Sequence, residues 1–330
     1  MKNFLFIYRS HKNKPEQRSK ILEAIDNNYC NHDFGFFLLS LKCVANVDFI
    51  FGVEELDNYL EKKYDVIFVD IKAIMQDGLD KDYLLSFRKK INTTICLFSG
   101  MDQVFTHLKN NKVSGAEVVD LLQPKLIYFV NLFKDYNIYQ LSPNHLDKLR
   151  PTFFSLGYSN IKYDLKKYSF QNFEALPKTN DIFFSGGLTV STIREKVLEY
   201  TNKNFHDLKK IIRVNSHLNI DEYITNIMQS KINLALPGNY NNISYRHNEI
   251  IFLKSLLLTD SSFKNFEISK YFSELNSFIF NNEKELNNLV YFYSHFDEER
   301  EKVVLRLNQQ FTDFYSPKKQ GEKIYNDLFH

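Results

Sequence analysis

The sequence predicts an α/β protein built from two Rossmann-like domains that face each other across a cleft. Three observations support this prediction: the chain has 330 residues, 44% of them are hydrophobic, and short apolar runs alternate with helical segments in two separate series. A chain of this length favours two domains over one. Continuous apolar runs are typical of strands that are covered on both faces, and strands that alternate with helices form parallel sheets.

The first series of apolar runs lies in the N-terminal half and defines a domain over residues 1–160. Its first run is followed by a helical segment with Pro15 in the first turn, where the missing N–H group of proline costs nothing. Residues 147–160 then carry proline and glycine around a short element. The predicted strands of this half are 4–8, 47–51, 65–70, 93–100 and 125–130.

Residues 161–180 lack a clear hydrophobic period, so we expect a linker between the domains. A second series of apolar runs follows and defines a domain over 181–330. The chain from residue 283 onward is strongly helical, and a last helix after Pro317 could cross back to the first domain. The predicted strands of this half are 181–187, 210–214, 231–238, 255–260 and 277–280.

The overall composition restricts the classes of function and location. The formal net charge of +2 is almost balanced and does not imply strong nonspecific binding to nucleic acid, so we expect no nucleic-acid partner, with local basic patches left open. Three widely spaced cysteines suit the reduced thiols of a cytosol. The N-terminal segment is typical of a strand rather than a signal peptide, and no run approaches the roughly 18 to 20 apolar residues of a membrane span. We therefore expect a cytoplasmic protein.

Two adjacent glycines follow the first strand of the second half. The chain has only ten glycines, and residues 185–187 read Ser-Gly-Gly directly after an apolar run. Thr192 and Glu195 fit a capping box for the next helix, which carries Arg194. Glycines at a strand end allow close approach of the backbone to a ligand, and the positive end of a helix suits a diphosphate. The alternative is a simple tight turn, and the spacing is not that of the dinucleotide fingerprint.

A charged pair stands at the start of a later helix. The predicted strand 231–238 stops at Pro237 and Gly238, and a polar loop leads to Ser244, Arg246 and Glu249. Arg246 and Glu249 are three positions apart and therefore neighbours on a helix surface. A guanidinium suits phosphate oxygens, and a carboxylate can accept both hydrogen bonds of a ribose diol. The alternative is a capping glutamate with an internal arginine ion pair.

From about residue 181 to 290, the order of these motifs resembles the C-terminal nucleotide-sugar domain of exostosin-like and related glycosyltransferases of the two-Rossmann-domain (GT-B) type. The shared pattern is Tyr, Met and Ser before a strand that ends in Pro-Gly, then Ser-x-Arg-x-x-Glu, a helix, and a strand that ends near Asp. The chain departs from exostosin-like proteins at residues 254–258, which read Lys-Ser-Leu-Leu-Leu where those proteins have Gly-Cys-Ile-Pro-Val. The matching positions are Tyr223, Met228, Ser230, Pro237, Gly238, Ser244, Arg246, Glu249 and Asp260.

This resemblance implies a glycosyltransferase that moves a sugar from a nucleotide-sugar donor to a glycan or lipid-linked acceptor at the inner face of the membrane, with peripheral membrane association. It implies no metal ion or other cofactor, and we interpret Asp80-Lys81-Asp82 as a surface segment rather than a metal motif. Retaining relatives have an acid where this chain has Asn241, so we expect an inverting reaction. The implied donor-binding residues are Ser185, Gly186, Gly187, Arg194, Pro237, Gly238, Ser244, Arg246 and Glu249.

An inverting reaction needs a base, which in this fold generally lies on a loop after a strand of the N-terminal, acceptor-binding domain. His11, Asp70 and Asp102 occupy such positions. An aspartate at a strand end is also a common helix cap, and His11 could instead be a surface residue. Cationic residues at positions 9, 12, 14 and 18 surround the first of these loops and could contact an anionic acceptor.

Two other classes of function fit the same pattern. One is a GT-B-like binding or scaffold protein without catalytic activity, which would bind nucleotide but transfer no sugar. The other is a nucleotide-sugar epimerase, which would turn over its substrate without an acceptor and would need acids on both sides of the cleft.

Overall fold

The structure is a computed structural model of the chain. It describes residues 1–59, 61–100, 112–130, 132–153, 156, 160–187, 192–215, 218–238 and 243–330. The chain forms two compact units. The first unit comprises Met1–Phe154, Lys162–Ser169 and Pro317–His330, and the second comprises Ser155–Ile161 and Phe170–Ser316.

Both units contain a parallel β-sheet. The strands are β1 (Lys2–Tyr8), β2 (Ala45–Phe51), β3 (Val66–Asp70), β4 (Thr94–Ser99), β5 (Ile127–Val130), β6 (Leu149–Thr152), β7 (Tyr163–Asp164), β8 (Ser169–Phe170), β9 (Asn180–Gly186), β10 (Lys210–Val214), β11 (Ser230–Leu234), β12 (Leu256–Asp260) and β13 (Ile279–Phe280).

Helices connect the strands and form the C-terminal part of the chain. They are α1 (Pro15–Asp26), α2 (Gly35–Lys42), α3 (Ile71–Gln76), α4 (Lys81–Lys90), α5 (Gly115–Leu122), α6 (Pro143–Leu146), α7 (Thr192–Asn204), α8 (Ile220–Gln229), α9 (Tyr245–Phe252), α10 (Glu283–His295), α11 (Asp297–Phe314) and α12 (Pro317–Phe329). Short 3₁₀ helices span Val53–Asn58, Tyr136–Tyr139, Ser261–Asn265, Glu267–Tyr271 and Leu275–Ser277.

The sheet of the first unit has the strand order β2-β1-β3-β4-β5-β6, and the sheet of the second has the order β10-β9-β11-β12-β13. All these neighbours pair in parallel. In each sheet the chain first moves outward by one strand and then returns past its starting strand. The order therefore reverses between β1 and β3 in one unit and between β9 and β11 in the other, and ligands bind at such switch points in doubly wound sheets.

Apolar burial accounts for the central strands. All five residues from Phe4 to Tyr8 in β1 are at most 5% exposed, as are all five residues of β3. Strands that are covered on both faces can be apolar at every position, whereas a strand with one wet face alternates. This explains why the continuous runs in the sequence predicted these strands correctly.

The last helix, α12, belongs to the first unit, as the sequence predicted. It packs on α2 through Gly321, where an added Cβ atom would lie 2.2 Å from the carbonyl oxygen of Ser40. Lys125 Nζ donates to the carbonyl of Leu328 at 2.5 Å, and the ring of Phe329 stacks on Phe4. Glycine is thus required at 321 because the two helix backbones approach so closely.

The structure departs from the sequence prediction at three places. The short element near residue 150 is the edge strand β6, which tolerates Pro151 because an edge strand can do without one ladder hydrogen bond. The predicted linker 161–180 contains the two-stranded sheet β7–β8 and is divided between the units. The helical tail is interrupted at Phe296, so that α10 and α11 are separate helices. No helix among the described residues is long and apolar enough to cross a bilayer.

Candidate functional site

The carboxyl ends of β9 and β11 carry most of the predicted donor-binding residues of the second unit. Ser185 and Gly186 are the last residues of β9, while Pro237 and Gly238 follow β11 closely. Ser244 precedes the first residue of α9, which carries Arg246 and Glu249. Because β9 and β11 are neighbours at the point where the strand order reverses, these segments meet at one edge of the sheet.

Arg246 packs directly against the glycine at the end of β9. A Cβ atom added to Gly186 would lie 3.0 Å from Nη2 and 3.2 Å from Cζ of Arg246. The guanidinium also lies 6.0 Å from the ring centre of Phe184, within cation–π range. Among the described residues, Arg246 forms no ion pair, and its buried Nε has no hydrogen-bond partner. The absence of a side chain at 186 therefore gives the cation room at the strand end.

Arg194, on the helix after β9, is 3% exposed and binds the backbone. Its guanidinium donates to the carbonyls of Gly187 at 2.6 Å and Pro237 at 2.8 Å, and to that of Leu236 at 3.2 Å. These bonds join the loop after β9 to the loop after β11. The sequence predicted Arg194 as a cation near the phosphates, and the structure adds a bracing role that sequence spacing did not reveal.

Glu249 is fully buried, and Tyr223 Oη on α8 donates to its Oε2 at 2.7 Å. Tyr223 is itself 5% exposed and lies 26 residues away in the chain. Within the described part of the chain, no ion pair joins Glu249 to Arg246, so the interpretation as an internal arginine pair does not apply. In this conformation a ligand reaches the carboxylate only after neighbouring side chains move. Its role as a ribose ligand stays a prediction.

His247 holds the start of α9 in place. Its Nδ1 accepts from the backbone N–H of Ser244 at 3.2 Å, and Nε2 donates to Thr259 Oγ1 on β12 at 2.9 Å. Burial lowers the pKa of His247 to about 3, so the ring is neutral at neutral pH. The side chain is thus directed to β12, and its contacts fix the turn from which Arg246 projects.

The first unit brings a second polar cluster to the carboxyl end of β3. Asp70 is fully buried and caps α3, with Oδ1 accepting from the backbone N–H of Lys72 at 3.0 Å. Its Oδ2 has no hydrogen-bond partner among the described residues. Lys72 forms an ion pair with Asp33, whose backbone and side chain pack against Gly100 after β4. Burial raises the pKa of Asp70 to about 7, so this carboxyl carries a proton over part of the neutral range.

His11 lies in the loop after β1, at the switch point of the first unit. Its side chain is buried between aromatic rings, with Tyr8 5.7 Å and Phe51 6.5 Å away between ring centres. Burial and the cations of Arg9 and Lys14 lower its pKa to about 4. The third candidate base, Asp102, lies outside the described residues. Asp70 and His11 both lie buried at strand ends of the first unit, and the choice among the three stays a prediction.

The remaining predicted residues have ordinary environments. Asp80 and Asp82 are exposed at the start of α4, where Asp80 Oδ1 accepts from the backbone N–H of Tyr83 at 3.0 Å. Asp260, at the end of β12, is 6% exposed and caps the following 3₁₀ helix through Ser262. Asn241, which favoured an inverting reaction, lies outside the described residues.

Sequence reasoning missed the partners that hold the site together. The bond from Tyr223 to Glu249 joins two helices, and the pair of Lys72 and Asp33 joins segments 39 residues apart. Neither contact follows from spacing along one helix. The only signal in the sequence was the tyrosine's place in the resemblance pattern.

Comparison with known proteins gives a fold but no family. No family model matches the chain, and no curated protein does. A solved structure of the DNA modifying enzyme beta-glucosyltransferase, determined with and without uridine diphosphoglucose, is similar with 16% identity, 100% of both chains covered and a TM-score of 0.54. An alpha-glucosyltransferase in complex with UDP-glucose and DNA containing an abasic site is 10% identical, with full coverage of both chains and a TM-score of 0.58.

A third similar structure is HepE of Anabaena in complex with UDP and glucose, at 10% identity, 99% coverage of both chains and a TM-score of 0.55. These likenesses confirm the predicted fold class of two Rossmann-like domains of the GT-B type. The narrower resemblance to exostosin-like proteins stays a prediction.

The expectation that nucleic acid is not a partner is contradicted by these structures. One is described as a DNA modifying enzyme and another contains DNA. The expectation rested on the net charge of +2, which is a sum over the whole chain. A balanced total does not report how cations are distributed, and local clusters decide the contacts with a polyanion.

Proposed function

We propose that the protein is a glycosyltransferase that moves a sugar from a nucleoside diphosphate sugar to a hydroxyl group of a nucleic acid. One observation carries the proposal: the Arg246 guanidinium packs on the glycine backbone at the switch point of the second unit, with no ion-pair partner among the described residues. A cation in such a place is suited to a diphosphate. The similarity to glucosyltransferases in complexes with UDP-glucose supports the same donor class.

The proposed donor-binding residues contact different parts of the nucleotide sugar. Arg246 neutralises the charge that develops on the diphosphate as it leaves, because its guanidinium is always charged and can bind two oxygens at once. Glu249 takes the ribose hydroxyls, and Tyr223 orients that carboxylate. Arg194 braces the two strand-end loops, so that backbone N–H groups there keep one geometry through the reaction.

The transfer itself is an inverting displacement. The acceptor hydroxyl attacks the anomeric carbon, a new carbon–oxygen bond forms, and the bond to the diphosphate breaks with its electron pair. A base of the first unit takes the hydroxyl proton, and the candidates are His11, Asp70 and Asp102. The burial of the Asp70 side chain and of both ring nitrogens of His11 disfavours direct contact of either group with an acceptor in this conformation, so Asp102 is the first to be tested.

A transfer assay tests the proposal. Unmodified DNA bases carry no aliphatic hydroxyl, so the assay uses UDP-glucose with a duplex that contains hydroxymethylated pyrimidines, and an unmodified duplex as the control. We expect UDP release and a mass increase of one hexose on the hydroxymethylated duplex only. Sugar transfer to oligosaccharides but not to this duplex would contradict the acceptor, and the absence of any UDP-sugar turnover with any acceptor would contradict the enzyme.

A further inference from the structure

The loop after β1 is anchored by hydrogen bonds and holds His11 in a strained backbone conformation. Ser10 anchors the loop, because its N–H and hydroxyl donate to the two carboxylate oxygens of Asp77 at 3.1 and 3.0 Å. A turn then follows in which the N–H of Lys14 donates to the carbonyl of His11 at 2.9 Å. His11 has a φ of 48°, in the left-handed region that non-glycine residues adopt at a cost. Strain of this kind persists where the surroundings impose it, and it clusters at functional sites.

The side chain of His11 is buried without satisfying its polar atoms. It is 5% exposed, and neither ring nitrogen has a hydrogen-bond partner among the described residues. A buried polar atom without a partner costs roughly 1–3 kcal/mol, so native proteins keep few of them. Both ring nitrogens are also closed to solvent, so a ligand with oxygen acceptors would remove this cost once the loop side chains around the ring move aside.

His11 lines an open groove of about 480 Å³ whose remaining charge is positive. The acids of the groove are already engaged: Glu54 pairs with Lys12 at 2.9 Å, and Asp77 accepts from Ser10. Arg9 and Lys14 also line the groove, and neither forms an ion pair within the described part of the chain. The positive end of α1 begins at the next residue, which adds to the field. The groove therefore presents Arg9 and Lys14 outside any ion pair of the described residues, while the carboxylate of Asp77, which accepts from Ser10, attracts Arg9 electrostatically.

We propose that this groove binds a backbone phosphodiester of the nucleic-acid acceptor, through Arg9, Lys14 and an N–H group of His11. This inference rests on the proposed function for the choice of a nucleic acid, while the groove itself calls for a tetrahedral oxyanion. It also assigns His11 to acceptor binding rather than to proton removal. A phosphodiester accepts from several donors at once, which suits two cations and one imidazole converging on a single loop.

Binding of a fluorescent hydroxymethylated duplex, followed by anisotropy over a salt series, tests the proposal. Arg9→Ala and Lys14→Ala should each weaken binding and lower the slope of log Kd against log salt by about one, because each loses one phosphate contact. Lys20→Ala is the matched control, since it removes an exposed cation of α1 outside the groove. If the three variants lose affinity equally, the groove has no special role and the proposal fails.

Steady-state kinetics separate acceptor binding from catalysis at His11. His11→Gln should raise the KM for the duplex about tenfold and leave kcat within about twofold, since one hydrogen bond to a charged group is worth roughly 1.5 kcal/mol. A fall in kcat of about a hundredfold or more at unchanged KM would make His11 the base and overturn the assignment.

Two further measurements keep this proposal distinct from the proposed function. UDP binding, measured by calorimetry, should be the same in the four variants of this loop and of α1, because the proposed donor residues lie in the second unit. If wild type does not bind UDP, the proposed glycosyltransferase function is refuted, and the anisotropy measurements still decide whether the groove binds the duplex. Inorganic phosphate should compete with the duplex only at millimolar concentration. A groove that binds inorganic phosphate, measured by calorimetry, but shows no duplex affinity that depends on Arg9 and Lys14 would overturn the nucleic-acid assignment.

Discussion

Substitution of Gly186 tests how the second unit holds its cation. In Gly186→Ala the new Cβ atom would lie 3.0 Å from Nη2 of Arg246, whereas an ordinary contact to carbon lies near 3.5–4.0 Å. The guanidinium must therefore retreat by roughly 0.5 Å. A charge-assisted hydrogen bond contributes about 1.5–3 kcal/mol, and a shift of this size loses a part of it, about 1 kcal/mol. UDP affinity should fall about fivefold.

The effect should grow with the size of the side chain at 186. Gly186→Val adds an isopropyl group where the guanidinium lies, so the whole contribution of about 1.5–3 kcal/mol should be lost, or about 10- to 150-fold in Kd. Circular dichroism checks that the variants fold. Both Kd values are measured by titration calorimetry with UDP.

A double-mutant cycle identifies the cause. If the substitution acts through Arg246, then Gly186→Val should have little further effect on UDP affinity in an Arg246→Ala background. An equal loss of affinity in both backgrounds would show that the valine acts on something else. If Gly186→Val and Arg246→Ala each bind UDP as tightly as wild type, Arg246 does not contact the diphosphate.

Three further predictions concern the stability of the two units. Tyr223→Phe should lower the free energy of unfolding, measured in urea, by about 1.5–3 kcal/mol, because the buried carboxylate of Glu249 loses a donor. The control is Tyr291→Phe, which removes an exposed hydrogen bond to Asp207 and should cost less than about 0.5 kcal/mol. Equal losses in the two variants would contradict this prediction. Asp70 has a folded pKa of about 7, above its unfolded value, so the native state binds the extra proton and the contribution of Asp70 to stability should fall as pH rises from about 4 to 7. His11 and His247, whose pKa values burial lowers to about 4 and 3, act in the opposite direction in both proteins, so the contribution of Asp70 is read as the difference between wild type and Asp70→Asn. Asp70→Asn should abolish that loss in urea melts at a series of pH values, and a parallel pH dependence of both proteins would refute it. Gly321→Ala places a Cβ atom 2.2 Å from a backbone oxygen of α2 and should destabilise the first unit by about 1–3 kcal/mol or more, which lowers its thermal midpoint. A midpoint equal to that of wild type would show that α12 can shift away from α2 without loss of stability.

Much of the fold could be predicted because the strands are buried on both faces. A continuous apolar run such as 65–70 is typical of a strand that is covered on both faces, and such a run can be recognised in the sequence without knowledge of the fold. The strand β6 was missed because an edge strand with Pro151 lacks that signature. The short strands β7 and β8 were missed because two residues each give no period at all.

The site could be predicted only as far as its backbone positions. Glycines after β9 and the Arg-x-x-Glu spacing identified which strand ends matter, since local rules govern turns and helix starts. What those side chains contact is decided by packing across the unit. Arg194 donates to carbonyls 42 and 43 residues away, and no local pattern specifies that. The expectation that nucleic acid is not a partner failed for a similar reason, because a net charge summed over the whole chain does not report how its cations are distributed.

The central claim is that Arg246 and Glu249 form the nucleotide grip of the second unit. Titration calorimetry of UDP and of pyrophosphate against wild type, Arg246→Ala and Glu249→Gln tests it most directly. We expect wild type to bind UDP at one site, Arg246→Ala to lose both ligands by about 10- to 150-fold, and Glu249→Gln to lose UDP while keeping pyrophosphate. Wild type that binds no UDP, or two variants that bind UDP as wild type does, would contradict the claim.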